Sequence, residues 1–197
     1  VHDEDADGPA TGDGSGPSSA AAAAATARAR AAVELAARAL AEASARTETL
    51  AEFVPGRRVL GMPRAPRMRV VGPVWRLGVL LLDADGRLYS TGRVVRAEKA
   101  VRRSVLAESV AEQRAYRAAA IRGGIPAGAS VVFDAVPLEL DADAPLPGSG
   151  PLVLTTSIDG SAAVGVSWNP TSPDAVLPLE SYLAERVDLL AHPPQGA

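Results

Sequence analysis

The spacing of apolar and polar positions changes several times along the chain, and each change marks an element. Residues 1–18 show no period. They are mostly Gly, Pro, Ser, Asp and Ala, which bury too little apolar surface to offset the entropy of ordering, so a disordered acidic tail is expected. Ser18 or Ser19 suits a helix N-cap. After it, Val33, Ala36, Leu40, Ala43, Thr47, Leu50 and Val54 recur every three or four positions. This predicts an amphipathic helix to about residue 53, lying on its own sheet. Glu34–Arg38, Arg38–Glu42 and Glu42–Arg46 pair at i,i+4 on another face.

Pro55-Gly56 ends that pattern, and short extended segments follow at 58–60 and 67–71. Alternating stretches at 74–82 and 87–97 then flank Asp83-Ala84-Asp85-Gly86, which is turn chemistry and predicts a hairpin. If Leu82 pairs with Arg87, then Trp75, Leu77, Val79 and Leu81 share a face with Val94, Gly92, Ser90 and Leu88. A second helix is expected over 98–122, stopped by Gly123-Gly124. Leu106, Val110, Ala120 and Ile121 mark its inner stripe, and Gln113 and Arg117 fall on that same stripe. Residues 130–140 predict a strand, bent or at an edge because of Pro137. A second hairpin is expected from 152–158 and 162–168 around Asp159-Gly160. Pro178 introduces a last helix over 179–191, with Leu179, Leu183, Val187 and Leu190 inward. No strand–helix–strand alternation appears. The expected class is α+β, with an antiparallel sheet of about five strands built from two hairpins and packed by three helices. Residues 19–191 form one domain in this reading, between tails at 1–18 and 192–197.

Composition changes the picture by exclusion. Hydrophobic residues make up 47% of the chain and aromatics 4%, and much of the apolar share is alanine. Cysteine is absent, which removes disulfides, thiol nucleophiles and cysteine metal sites. His2 and His192, near the two chain ends, are the only imidazoles, so neither a multi-histidine metal site nor a serine–histidine triad is expected. No metal and no cofactor is anticipated. The net charge is -3, but Asp3, Glu4, Asp5, Asp7 and Asp13 crowd the tail, leaving a near-neutral body with a slight basic lean. No apolar run approaches the ~20 residues a bilayer needs, and no signal-type apolar segment is visible. A cytoplasmic protein without a membrane partner is expected.

Most candidate chemistry has a structural explanation. Asp134, Glu139, Asp141 and Asp143 cluster around one strand, but loop carboxylates are usually solvated. Asp83, Asp85 and Asp159 sit where turns favour Asp. Arg122-Gly123-Gly124-Ile125-Pro126-Ala127-Gly128 follows a helix instead of opening one, so the helix dipole is wrong for a phosphate. Two features remain. The first is basic: Arg57, Arg58, Arg64, Arg67, Arg69 and Arg76 lie in a stretch, 53–82, that holds no acid. Arg93, Arg96, Lys99, Arg102 and Arg103 follow. Arg67, Arg69, Arg76, Arg93 and Arg96 are the candidate anion surface. Nucleic acid is disfavoured, because Tyr89 is the only well-placed aromatic and the body is near neutral. The second is a polar pocket of Gln113, Arg117 and Glu108, with Trp75 and Trp168 at its rim. There a half-buried Arg117 would need Glu108, Glu112 or Asp134 as partner.

Val59-Leu60-Gly61-Met62-Pro63-Arg64-Ala65-Pro66-Arg67, Trp75-Arg76-Leu77-Gly78-Val79-Leu80-Leu81 and Pro178-Leu179-Glu180-Ser181-Tyr182-Leu183 resemble segments of an uncharacterised family of short actinobacterial proteins, some loosely labelled glutaminase. The resemblance covers roughly 30–191 and implies amide hydrolysis. The residues speak against the familiar routes. A Ser-x-x-Lys site fails because Lys99 is the lone lysine and Arg96 stands three positions before it. A cysteine nucleophile is absent. Thr155 and Thr156 would have only Lys99 to assist them. The expected function is therefore non-catalytic binding of a small molecule or a protein, a second copy of the chain included. A small hydrolase with an atypical site and a weak nucleic-acid or polyanion binder are the alternatives.

Overall fold

The structure is a computed structural model that describes residues 18–59, 61–98, 108–141, 150–169, 171–172 and 175–193. Apart from Ser18, the expected acidic tail lies outside these residues, as do Lys99, Arg102, Arg103, Leu106 and Asp143. The class is α+β, with three helices and mostly antiparallel sheets among the described residues.

Helix α1 (Ser19–Glu42) is capped by the Ser18 hydroxyl, which accepts from the Ala21 amide. It stops well short of residue 53, because Ser44 turns into the left-handed region at φ +50°. The chain then enters strand β1 (Glu48–Val54). Thr47, Leu50 and Val54 had matched the helical period by coincidence. In β1 both faces meet apolar neighbours, Leu50 on one side and Ala51 on the other, and a strand buried on both faces shows no period of two.

Strands β2 (Arg57–Val59) and β3 (Met62–Arg64) form a small two-stranded ribbon. β4 (Arg67–Leu77) pairs along β1 with a bulge beside Leu50 and Ala51. The expected strand over 74–82 is in fact two. β4 and β5 (Leu80–Leu82) are joined by a tight turn whose Gly78 has φ +65°. The next register also differs by one from the expected pairing. Leu82 faces Leu88 in β6 (Leu88–Ser90), not Arg87. The cause is a three-residue loop: the Asp83 amide donates to the Arg87 carbonyl, and Gly86, at φ +78°, donates to the Asp83 carbonyl. Such loops place a glycine in the left-handed region before pairing resumes.

The main sheet has seven strands, not about five. Its order is β7-β8-β1-β4-β5-β6-β9, with β7 at Arg93–Arg96, β8 at Ser130–Phe133 and β9 at Val136–Leu138. The expected strand over 87–97 breaks into β6 and β7 at Thr91-Gly92, and that over 130–140 into β8 and β9 at Asp134-Ala135. Asp134 takes φ +57° at the break. The register runs on across both breaks, Arg93 facing Phe133 in one half and Ser90 facing Val136 in the other. β8 also pairs with β1 in parallel. The two terminal strands of the order thus continue strands already inside it, and the sheet closes on itself as a small barrel. Leu50, Val74, Leu81 and Val132 fill its interior, with Tyr89 and Ala135 packed against them. Gly92 lets the broken strands cross: a Cβ there would strike the Phe133 carbonyl and the Asp134 backbone.

Helix α2 (Glu108–Arg122) lies across β4 and β7 and covers a cluster of Ala51, Met68, Val95, Val131 and Phe133. Glu98, its expected first residue, is not helical, and Ala97 before it exchanges backbone hydrogen bonds with Gly128 and Ala129; the rest of the expected start, 99–107, lies outside the described residues. Val110, expected on the inner stripe, is exposed; Ala120 and Ile121, also expected there, do face the cluster, with Ala119 beside them. On the other outer side of the barrel, α1, α3 (Leu179–Ala191) and a three-stranded sheet close the largest cluster. That sheet holds β10 (Leu152–Thr156), β11 (Ala162–Ser167) and β12 (Val176–Pro178). Its first two strands are the expected second hairpin, and α3 has the expected bounds. Tyr182 joins α3 to the barrel: its hydroxyl donates to the Leu77 carbonyl at 2.8 Å and accepts from the Val79 amide at 3.0 Å.

Candidate arginine cleft

Of the expected polar pocket, the four residues whose side chains are described do not converge. Trp75 is 5% exposed within the α1 cluster, its indole N–H donating to the Ala45 carbonyl. α2 covers a different cluster, and Gln113 on it is exposed. Arg117 does find a carboxylate, but it is Glu98 at 2.8 Å, not Glu112 or Asp134. Those two pair with Arg93 instead. Trp168 is exposed beyond the end of β11. The Glu108 side chain lies outside what the structure describes.

The expected anion surface also divides. Arg69 pairs with Glu52, Arg76 with Glu48 at 2.8 Å and Arg93 with Glu112 at 3.0 Å. Each pair spans neighbouring elements, so these arginines act as surface ties. Tyr116 strengthens the last of them. Its hydroxyl donates to Glu112 and accepts from Arg93, and together the two hold the Glu112 carboxyl below its ordinary range, Tyr116 contributing most. Arg96 is exposed on β7.

Arg67 behaves differently. With Arg57, Arg64 and Arg122 it lines a cleft of about 290 Å³ beside Val54, Pro55 and Ala65. Among the described residues none of the four has an ion pair, and the lining holds no carboxylate. Three elements build it. Arg57 and Arg64 stand directly opposite each other across the β2–β3 ribbon. Like charges so placed repel, and a bound anion relieves that repulsion. Arg67 opens β4. Arg122 closes α2, its Nε–H donating to the Pro66 carbonyl at 2.6 Å. Gly123 permits this approach, since a Cβ there would meet the Met68 carbonyl. Arg57, Arg64 and Arg67 were legible as an acid-free basic stretch. Arg122 was not; it arrives from the far end of α2, and its only sequence signal is its place just before Gly123-Gly124.

A larger cleft, about 560 Å³, lies between α1 and the barrel. Arg30, Glu34, Asp85, Arg87, Glu139 and Asp141 give it mixed charge. Arg87 is tied to Asp85 at 3.0 Å. Tyr89 on its wall donates to Asp83, and burial first, then that carboxylate, pushes its phenol up. Asp159, set apart in the β10–β11 turn, accepts from the Ser161 amide and hydroxyl, which hold its carboxyl down. Among the described residues there is no group of three metal-ligating side chains, and no helix is long and apolar enough to cross a membrane. The chain matches no protein-family model, no curated protein and no solved structure.

Proposed function

We propose that this chain is a non-catalytic binding domain whose ligand is an anion of the phosphate class, held in the cleft of Arg57, Arg64, Arg67 and Arg122. The observation that carries the reading is the convergence of four arginines, without a carboxylate among the lining residues, from three separate elements. Arg69, Arg76, Arg93 and Arg117, by contrast, are each matched to an acid. Planar guanidinium groups grip phosphate oxygens bidentately, and several converging forks favour a multiply charged group over a single carboxylate. The hydrolase alternative loses its support here, because the residues expected to form its pocket are spread over separate parts of the fold.

Calorimetric titration of the full chain with pyrophosphate tests the reading. Saturable binding is expected, weakened about tenfold or more in the Arg64→Ala/Arg67→Ala double variant, because each lost fork removes charge-assisted hydrogen bonds. Absence of binding, or equal affinity in the variant, would overturn it.

A further inference from the structure

The anion-binding reading concerns a cleft, yet two of its arginines stand on a ribbon that reaches beyond it. β2 and β3 make their contacts chiefly with each other, and among their described side chains none belongs to either large apolar cluster. Two-stranded ribbons are marginally stable on their own, so this one persists without a share of the core. Its described residues are exposed. One face carries Arg57 and Arg64 with Met62, while Arg58 and Pro63 share the other. Met62 is 69% exposed near the turn. The ribbon holds no acid, and no aromatic either.

Resting on the anion-binding reading, the geometry points to the phosphodiester backbone of double-stranded DNA as the anion. The ribbon enters the major groove while the cleft at its root grips phosphates. The dimensions agree. Three residues of strand extend roughly 10 Å, and the groove is about 8.5 Å deep and wide enough to admit a two-stranded ribbon. The chemistry agrees as well. Arg57, Arg64, Arg67 and Arg122 supply the phosphate contacts that position a protein on a duplex. Met62, in the pair farthest from the cleft, is an apolar side chain suited to contact a thymine methyl in the major groove. Single strands are the poorer fit, because their binders stack bases on aromatic side chains and the ribbon has none. An acidic protein segment would satisfy the arginines but has no use for a narrow ribbon with an apolar end. The chain's net charge of -3 does not oppose this, since five of its acids fall in residues 1–18 and residues 53–82 hold none.

Fluorescence anisotropy of the full chain with a fluorescein-labelled, mixed-sequence DNA duplex of two helical turns tests the inference. Binding that engages about four phosphates weakens roughly 10²-fold between about 50 and 200 mM salt. Arg57→Ala/Arg64→Ala should abolish it. Arg96→Ala, on β7 and outside the cleft lining, should leave it unchanged. Arg58→Glu is the separating variant: on the opposite face of the ribbon from Arg57 and Arg64, it should weaken duplex binding about tenfold by adding a charge that phosphates repel, while pyrophosphate binding in the cleft stays intact. Pyrophosphate binding without duplex binding would overturn this inference and leave the anion reading standing. So would tighter binding of polyglutamate than of duplex, or an Arg58→Glu variant that binds duplex as well as wild type. Loss of pyrophosphate binding itself would overturn both.

Discussion

The barrel interior and the arginine cleft lie at opposite extremes of one small fold. Inside the barrel β1, β4, β5 and β8 each contribute an apolar side chain, and Leu81 and Val132 are fully buried. Nothing there waits for a partner. At the ribbon root, four cations converge without a carboxylate among the lining residues. The strand β4 belongs to both regions. Val74 points into the barrel, Arg69 and Arg76 are neutralised by β1, and Arg67 at its first position enters the cleft. Along β4 the arginines at 69 and 76 are matched to acids, and the one at 67, where the strand meets the cleft, is not. Packing makes the scaffold, and the exception to charge matching makes the site.

The comparison is open to attack from the packing side first. Leu81→Ala should lower stability by about 3 to 4 kcal/mol, the range for truncating a fully buried leucine, read as a drop in the denaturant midpoint. Pyrophosphate affinity of the folded fraction should not change. Gly92→Ala should cost about 2 to 3 kcal/mol through overpacking where the broken strands cross, and hydrogen exchange should speed up in β7 and β8 before the α1 side responds. Tyr182→Phe strips the Leu77 carbonyl and the Val79 amide of their shared partner. A loss of about 1 to 2 kcal/mol follows from an unsatisfied buried group, seen as a lower Tm with the cleft unaffected.

The smallest effect lies among the paired arginines. Glu112 has its folded pKa held down, chiefly by Tyr116 and then by Arg93. A depressed carboxylate contributes stability above its ordinary range, and that contribution is lost as pH falls through the lower folded value. Glu112→Gln should therefore flatten the acid limb of a plot of Tm against pH slightly, and change nothing near neutrality beyond a constant offset. An equal flattening in Arg67→Ala would erase the distinction between tied and untied arginines.

How much of this was legible depends on how local each signal is. The β10–β11 hairpin and α3 were readable, because Asp159-Gly160 and Pro178 punctuate strong periodic runs. The β5–β6 register was missed by one residue, since Asp83-Ala84-Asp85-Gly86 serves loops of different lengths and only hydrogen bonding decides between them. β1 was hidden by burial on both faces. Barrel closure was hidden more deeply, as it depends on β7 continuing β6 and β9 continuing β8 across two kinks. The site divides in the same way. Three of its arginines fall within eleven residues of each other, whereas Arg122 joins them only through the packing of α2 on β4. The pocket expected around Trp75 and Arg117 rested on helical spacing alone, and the helix turned its alanines inward instead.

One measurement separates the two arginine populations directly. It is a titration of the full chain with pyrophosphate, followed by nuclear magnetic resonance at the arginine Nε–Hε groups. Arg57, Arg64, Arg67 and Arg122 should shift together and saturate, while Arg69, Arg76, Arg93 and Arg117 stay in place. Shifts spread evenly over both groups, or confined to the tied arginines, would contradict the division on which the function is argued.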